Sequence, residues 1–341
     1  MLAWSVLVLF AVRDGVTGAL APGDQVRGIL HVLGLGEPLA GNLQAIVRLR
    51  LMRALTAGGV GGALGLAGAY LQGLYRNGLA SPSVVGVTAG ALLGGSLAIA
   101  VVGGFGPGLA LGVSGVFAPL LVTGSSFLGA LGASLFVLWL ASSGGRLSVP
   151  TLLLAGIAAN VFIAGALAAL QQLTLNDYEV SRAILSWTFG TLDDRALWQV
   201  VLVWSALVAA ALLIPFVAFE LDLLAGGEED ALALGVRVQR VKLGVLLAAA
   251  LATAAAVSVS GQIAFVGLVV PHLVRRLTGP GHRTLLPLSL LAGAVFLLGC
   301  DYAQRRLLGS VALQPGVLMS LIGGPFFLVL LFRQRRSLSA W

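Results

Sequence analysis

The sequence predicts an all-helical, polytopic membrane protein with about ten spans, and three observations carry that prediction. Only 10% of its 341 residues are charged, whereas 58% are hydrophobic and the mean hydropathy is +1.02. A soluble domain needs about 25% charged residues to wet its surface, so the exterior of this chain must meet something apolar, and lipid is the ordinary answer. The second observation is the 47 glycines, which let helix backbones approach closely where packing drives association. The third is the spacing of apolar segments between polar or Pro/Gly punctuation.

Those segments fall near 2–12, 52–74, 84–102, 117–141, 150–173, 197–218, 241–259, 262–271, 284–300 and 315–332. A full crossing takes about 20 apolar residues. The first segment is shorter, and its lack of a basic lead argues against a cleaved signal peptide. In the second, Gly58, Gly59, Gly61, Gly62, Gly65 and Gly68 read as one close-packed helix face. The eighth is short enough to be a half-helix held inside the bundle. The longest polar connection runs from about 219 to 240, and no domain boundary or short repeat interrupts 1–341.

An even number of spans places both termini on one side. If that side is the cytoplasm, the inner loops and the tail carry 11 basic residues and the outer side 9. The Arg333, Arg335 and Arg336 tail is the clearest local cue for that orientation. The outer arginines then need a reason to be there. Lys242 is the sole lysine and Cys300 the sole cysteine, so neither a P-loop, which needs Gly-Lys-Ser/Thr, nor a Cys-based metal site is available. His31, His272 and His282 are scattered. His272 sits at a helix–loop junction, where bonding to backbone carbonyls is the plain expectation. The carboxylates fall at segment ends or in loops, away from the positions a proton- or sodium-driven carrier would use. Any energy for transport must therefore come from another chain. A passive channel, a secondary transporter and a membrane enzyme are the alternatives. The first two share the polytopic architecture, and the third lacks a catalytic constellation.

Several stretches, in order, resemble the FecCD-type permeases, membrane subunits of bacterial ABC importers for iron-siderophores, haem and vitamin B12. They are RLRLMRALTAGGVGGALGLAGAYLQGLYRNGLASPSVVGVTAGA (48–91), LLLAGIAAN (152–160), ILSWTFGTL (184–192) and GEEDALALGV (227–236). GQIAFVGLVVPHLVRRLTGPGHRTLLPLSLLAGA (261–294) and GGPFFLVLL (323–331) complete the series. Gly78 departs from the family's usual Pro, Gln314-Pro315 from its Leu-Pro turn, and Cys300 from its Ala before Asp301. The resemblance implies a ten-helix subunit of the bacterial inner membrane that pairs with a second permease subunit, expected to be an identical copy. ABC ATPase subunits would bind on the cytoplasmic side and carry the ATP and magnesium. A periplasmic substrate-binding protein would dock on the other side. The chain itself is expected to hold no catalytic site, cofactor or metal, and to bind lipid but no nucleic acid.

Candidate residues follow. In GEEDALALGV the acids open a short helix, where they suit its N-terminal dipole, and Gly235 can close it. The resemblance makes this the ATPase-coupling helix, with Glu228, Ala231, Leu234 and Gly235 at the matching positions. Arg50 and Arg53 share a helix face at i, i+3. With Arg305 they are expected to receive carboxylates of the binding protein, for which Arg is suited; snorkelling to headgroups is the competing reading. Ser148, Val149 and Pro150, where related permeases constrict, and the polar Asn160 are the candidates for the translocation path and its gate. For Asn160 an ordinary helix–helix hydrogen bond competes.

Overall fold

The computed structural model describes residues 2–14, 18, 20–32, 34–103, 117–143, 146–309 and 313–338. Its helices are α1 (Leu2–Arg13), α2 (Pro22–Val32), α3 (Leu43–Leu74), α4 (Val87–Val102), α5 (Phe117–Ala141), α6 (Val149–Leu173) and α7 (Tyr178–Thr188). They continue with α8 (Leu197–Ala211), α9 (Ile214–Gly226), α10 (Glu228–Ala233), α11 (Val238–Ser260), α12 (Val266–Thr278), α13 (His282–Leu308) and α14 (Pro315–Leu338). A 3-10 turn covers Pro82–Val85, and a two-residue hairpin pairs β1 (Ser142–Ser143) with β2 (Arg146–Leu147).

Every predicted segment contains helix. Among the described residues five helices, α3, α5, α6, α11 and α13, are long and apolar enough to cross a membrane singly. The segment predicted over 197–218 is instead α8 and α9, bent by 54° at the break between them. Pro215 stands in the first turn of α9, where it lacks the N–H that a continuous helix would use. The connection predicted over 219–240 is mostly helical as well. Val217, Ala218, Leu221 and Leu224 of α9 are buried, and that apolar face carries the helix to Gly226. The eighth segment is a half-helix. The chain is irregular over 261–264, Phe265 takes a φ of +66°, and α12 begins only at Val266. Two amphipathic helices, α2 and α7, lie where no span was expected.

α3 is the central helix, and nearly all of its apolar length is enclosed. Its glycines do not form a single face. A Cβ at Gly58 would strike Trp4 of α1, and one at Gly59 would strike Val203 and Trp204 of α8. Gly61 and Gly65 meet the backbone of α13 at Gly293 and Ser289, and Gly68 meets the carbonyl of Gly267 in α12. Small residues here admit neighbours on all sides, because the helix has no lipid-facing side to spare. Trp204 adds a hydrogen bond from its indole to the carbonyl of Leu55 at 3.0 Å and stacks edge-on against Trp4 at 5.6 Å. α13 lies antiparallel against α3, so the start of α3 and the end of α13 share one end of the molecule. The end of α3 and the start of α13 share the other, where α10 also lies.

Candidate functional site

At the first end, α3 presents Arg50 and Arg53 while α13 presents Asp301 and Arg305. Asp301 is 1% exposed. Arg53 grips it side-on, Nε to Oδ2 at 3.0 Å and a terminal nitrogen to Oδ1 at 2.8 Å. Arg305 reaches the same carboxylate from one turn further along α13, Nε to Oδ2 at 3.1 Å. α13 extends two turns beyond the predicted span, which is why Arg305 lies on the helix and not after it. The other terminal nitrogen of Arg53 pairs with Asp193, an exposed residue between α7 and α8. In that same connection burial pushes the Arg195 guanidinium down to about 10, partly opposed by Asp194. Arg195 donates to the carbonyl of Thr191 at 3.2 Å.

Arg50 departs from the docking expectation. It is buried and donates to the carbonyls of Val12, Arg13 and Gly18 at 3.1, 2.8 and 2.9 Å. These lie at and just beyond the end of α1, where a helix leaves carbonyls without partners and favours a cation. Arg50 therefore fastens α1 to α3. Arg53 and Arg305 also differ from the expectation of a free basic patch, since each is largely buried against Asp301. The exposed arginines at this end are Arg13, Arg27, Arg48, Arg182 and Arg306.

At the opposite end, α10 carries Glu228, Glu229 and Asp230 in its first turn and closes through Gly235, whose φ is +83°. The N–H of Gly235 bonds Leu232 and that of Val236 bonds Ala231, both at 2.9 Å. Ala231, one of the four coupling candidates, faces into the permease and is fully buried. Leu234 is 66% exposed and Leu232 58%; Leu232 is the outward apolar residue that the sequence reading missed. Glu228 pairs with Lys242 of α11 at 2.6 Å. Nearby, Asp222 of α9 takes both the backbone N–H and Nδ1 of His282 at the start of α13, at 2.8 and 2.6 Å. This pairing joins residues 60 apart in sequence, and nothing local announces it.

Ser148 caps α6. Its Oγ accepts from the N–H of Thr151 at 3.5 Å and its hydroxyl at 3.0 Å. Val149 and Pro150 form the first turn, where a proline fits because its missing N–H would be unused. Ser148 and Pro150 are exposed. Asn160 donates to the carbonyl of Ser83 at 2.9 Å, so it anchors α6 to the 3-10 turn, the competing role considered for it. Ser83 also lines a cavity of about 150 Å³ at the start of α12, with Thr88, Thr253 and Gln262. His272 bonds no backbone carbonyl among the described residues; it lies edge-on to Phe326 at 6.2 Å. Of the tail arginines that suggested the orientation, the side chains lie outside the described residues.

Among the described residues no group of three or more His, Cys, Asp or Glu could hold a metal ion. Comparison with known proteins gives this arrangement its context. The sequence matches the FecCD transport family over residues 6–333. The cobalamin import system permease protein BtuC of Halobacterium salinarum is 40% identical over 291 residues, 83% of this chain and 72% of that protein. The hemin transport system permease protein HmuU of Yersinia pestis is 40% identical over 294 residues, 86% of this chain and 84% of that one. A solved metal-chelate type ABC transporter, in an inward-facing conformation, superposes with a TM-score of 0.80 at 28% identity and covers 97% of both chains. A helix-rich chain with several spans, matched along nearly its whole length, belongs to the FecCD transport family and is a multi-pass permease subunit of an ABC importer.

Proposed function

We propose that this permease moves a metal chelate from periplasm to cytoplasm across the bacterial inner membrane, as half of a homodimer driven by separate ATPase subunits. The observation that carries the proposal is the pair of specialised ends. One presents an acid-capped helix with Leu232 and Leu234 outward, and the other presents arginines around a buried aspartate. In this reading α10 seats on the ATPase through Glu228, Leu232, Leu234 and the turn at Gly235. Arg53 and Arg305, held in place by Asp301, form the rim that receives the binding protein, with the exposed Arg48 and Arg306 beside them; Arg50 supports the rim from beneath. Ser148, Val149 and Pro150 form the cytoplasmic constriction. The second copy covers α6, whose Leu154, Ile157 and Val161 form an exposed apolar stripe at i, i+3 and i+7.

Relatives named for cobalamin, hemin and iron(3+)-hydroxamate point to a chelate as cargo. A molybdate import permease of Haemophilus influenzae, 32% identical, makes the oxyanion the control that matters. The test is uptake into proteoliposomes holding the permease, its ATPase and its binding protein. The panel is ferric hydroxamate, haem, cobalamin and molybdate. ATP-dependent accumulation of one chelate is expected. Accumulation without the ATPase, or of molybdate alone, would overturn the proposal.

A further inference from the structure

Lys242, the sole lysine of the chain, is only 3% exposed and stands one turn into α11. A buried ammonium is tolerated only where it is paired and hydrogen-bonded, and its two partners lie on different elements. Nζ meets Glu228 Oε1 of α10 at 2.6 Å and donates to the carbonyl of Leu147 at 3.2 Å. Leu147 ends the β hairpin and directly precedes Ser148. Its N–H is held as well, donating to Oε1 of Gln239 at 2.8 Å. Both backbone polar groups of Leu147 are thus fixed by the first turns of α11, and one of the two holding side chains is also bound to α10.

We infer that Lys242 is a positioning residue for transport, which ties the first turn of α10 to the residue before the α6 cap so that the two move together. The inference rests on the proposed roles of α10 and of Ser148–Pro150. A displacement of α10 that carries Glu228 must either take Lys242 with it or separate a charge pair on a largely desolvated ammonium. The charge-assisted bond is the shorter of the two, so the motion reaches Leu147 through the same nitrogen. From Leu147 it passes to Ser148, Val149 and Pro150 along the covalent chain, with no flexible segment between.

The experiment uses the complete transporter with Pro150→Cys in a Cys300→Ser background. The labelling rate by a methanethiosulfonate reagent is measured without nucleotide and after trapping with ATP and vanadate. With Lys242 present the two rates should differ by about fivefold or more, the lower end of ordinary coupling between sites. In Lys242→Met they should converge to within about twofold, although the ATPase still copurifies. Lys242→Arg should restore the difference, since a guanidinium can bridge the same carboxylate and carbonyl; a merely space-filling role would make Met the better replacement. If Lys242→Met does not fold, Glu228→Gln breaks the same link from its exposed side and should also bring the rates together. A difference that persists undiminished in Lys242→Met or Glu228→Gln overturns the inference. No nucleotide-dependent difference with Lys242 and Glu228 intact overturns instead the assignment of Ser148–Pro150 to the gate, on which the inference stands.

Discussion

Three arginines that read alike in sequence do different work. Arg50 holds carbonyls at and after the end of α1, Arg53 bridges Asp301 and Asp193, and Arg305 braces Asp301 from within α13. Removing one partner from a buried charge cluster costs about 3–5 kcal/mol, because the remaining charge loses its compensation. Asp301→Asn should therefore destabilise the protein by that order, read as a lower melting temperature in detergent. Adding Arg305→Met should recover part of the loss, whereas a melting temperature unchanged by Asp301→Asn would mean that water already solvates the cluster. Charge reversal at the exposed Arg48, outside this buried cluster, belongs to function more than stability. Rim charges act mainly on association rate, so Arg48→Glu should slow docking of the binding protein and weaken its dependence on salt. Arg50→Met should lower stability while leaving that salt dependence as it was. Binding kinetics at low and high ionic strength separate the two.

Among the elements, α3 is set by its neighbours. Gly68 leaves no room for a Cβ beside the carbonyl of Gly267. Gly68→Val should push α3 from α12 and cost about 1–3 kcal/mol or more, the usual range for overpacking. Gly132→Ala, in α5 with nothing within 4 Å of the added carbon, should be neutral in the same melting assay. Equal effects at the two positions would mean that helix propensity, not contact, governs these glycines. α10 supplies the other element-level prediction. Leu234 is outward and exposed, so Leu234→Asp should leave the permease folded but reduce ATPase copurification by tenfold or so, the order expected for about 1.4 kcal/mol. Full retention of the ATPase would remove Leu234 from the interface.

For the whole molecule, the decisive relation is that the two specialised ends lie at opposite poles of α3 and α13. Cysteines placed singly at Leu234 and Arg48 in a Cys300→Ser background should label from opposite sides of the membrane. An impermeant reagent should reach Arg48→Cys in intact cells and Leu234→Cys only in inverted vesicles. The reverse pattern would invert the assignment of cytoplasmic and outer faces made from the basic tail.

The membrane class was legible in the scarcity of charge, and the family in the order of its motifs, because both survive as local composition. The start and stop of α10 were legible too: acids at one end and Gly235 at the other act within a turn of where they stand. The half-helix of α12 was legible in its short apolar segment, whereas the 54° bend between α8 and α9 was not read, although Pro215 stands beside it. What the sequence could not disclose is which polar groups meet. Asp301 and Arg305 share a helix at i, i+4, but Arg53 lies 248 residues from Asp301. Glu228 finds Lys242 and Asp222 finds His282 only when separate helices pack. In an apolar bundle a charge must have a partner, and that much follows from composition. The identity of the partner is decided by the crossing of helices, which glycines such as Gly61, Gly65 and Gly68 allow to come close enough for the pairs to form.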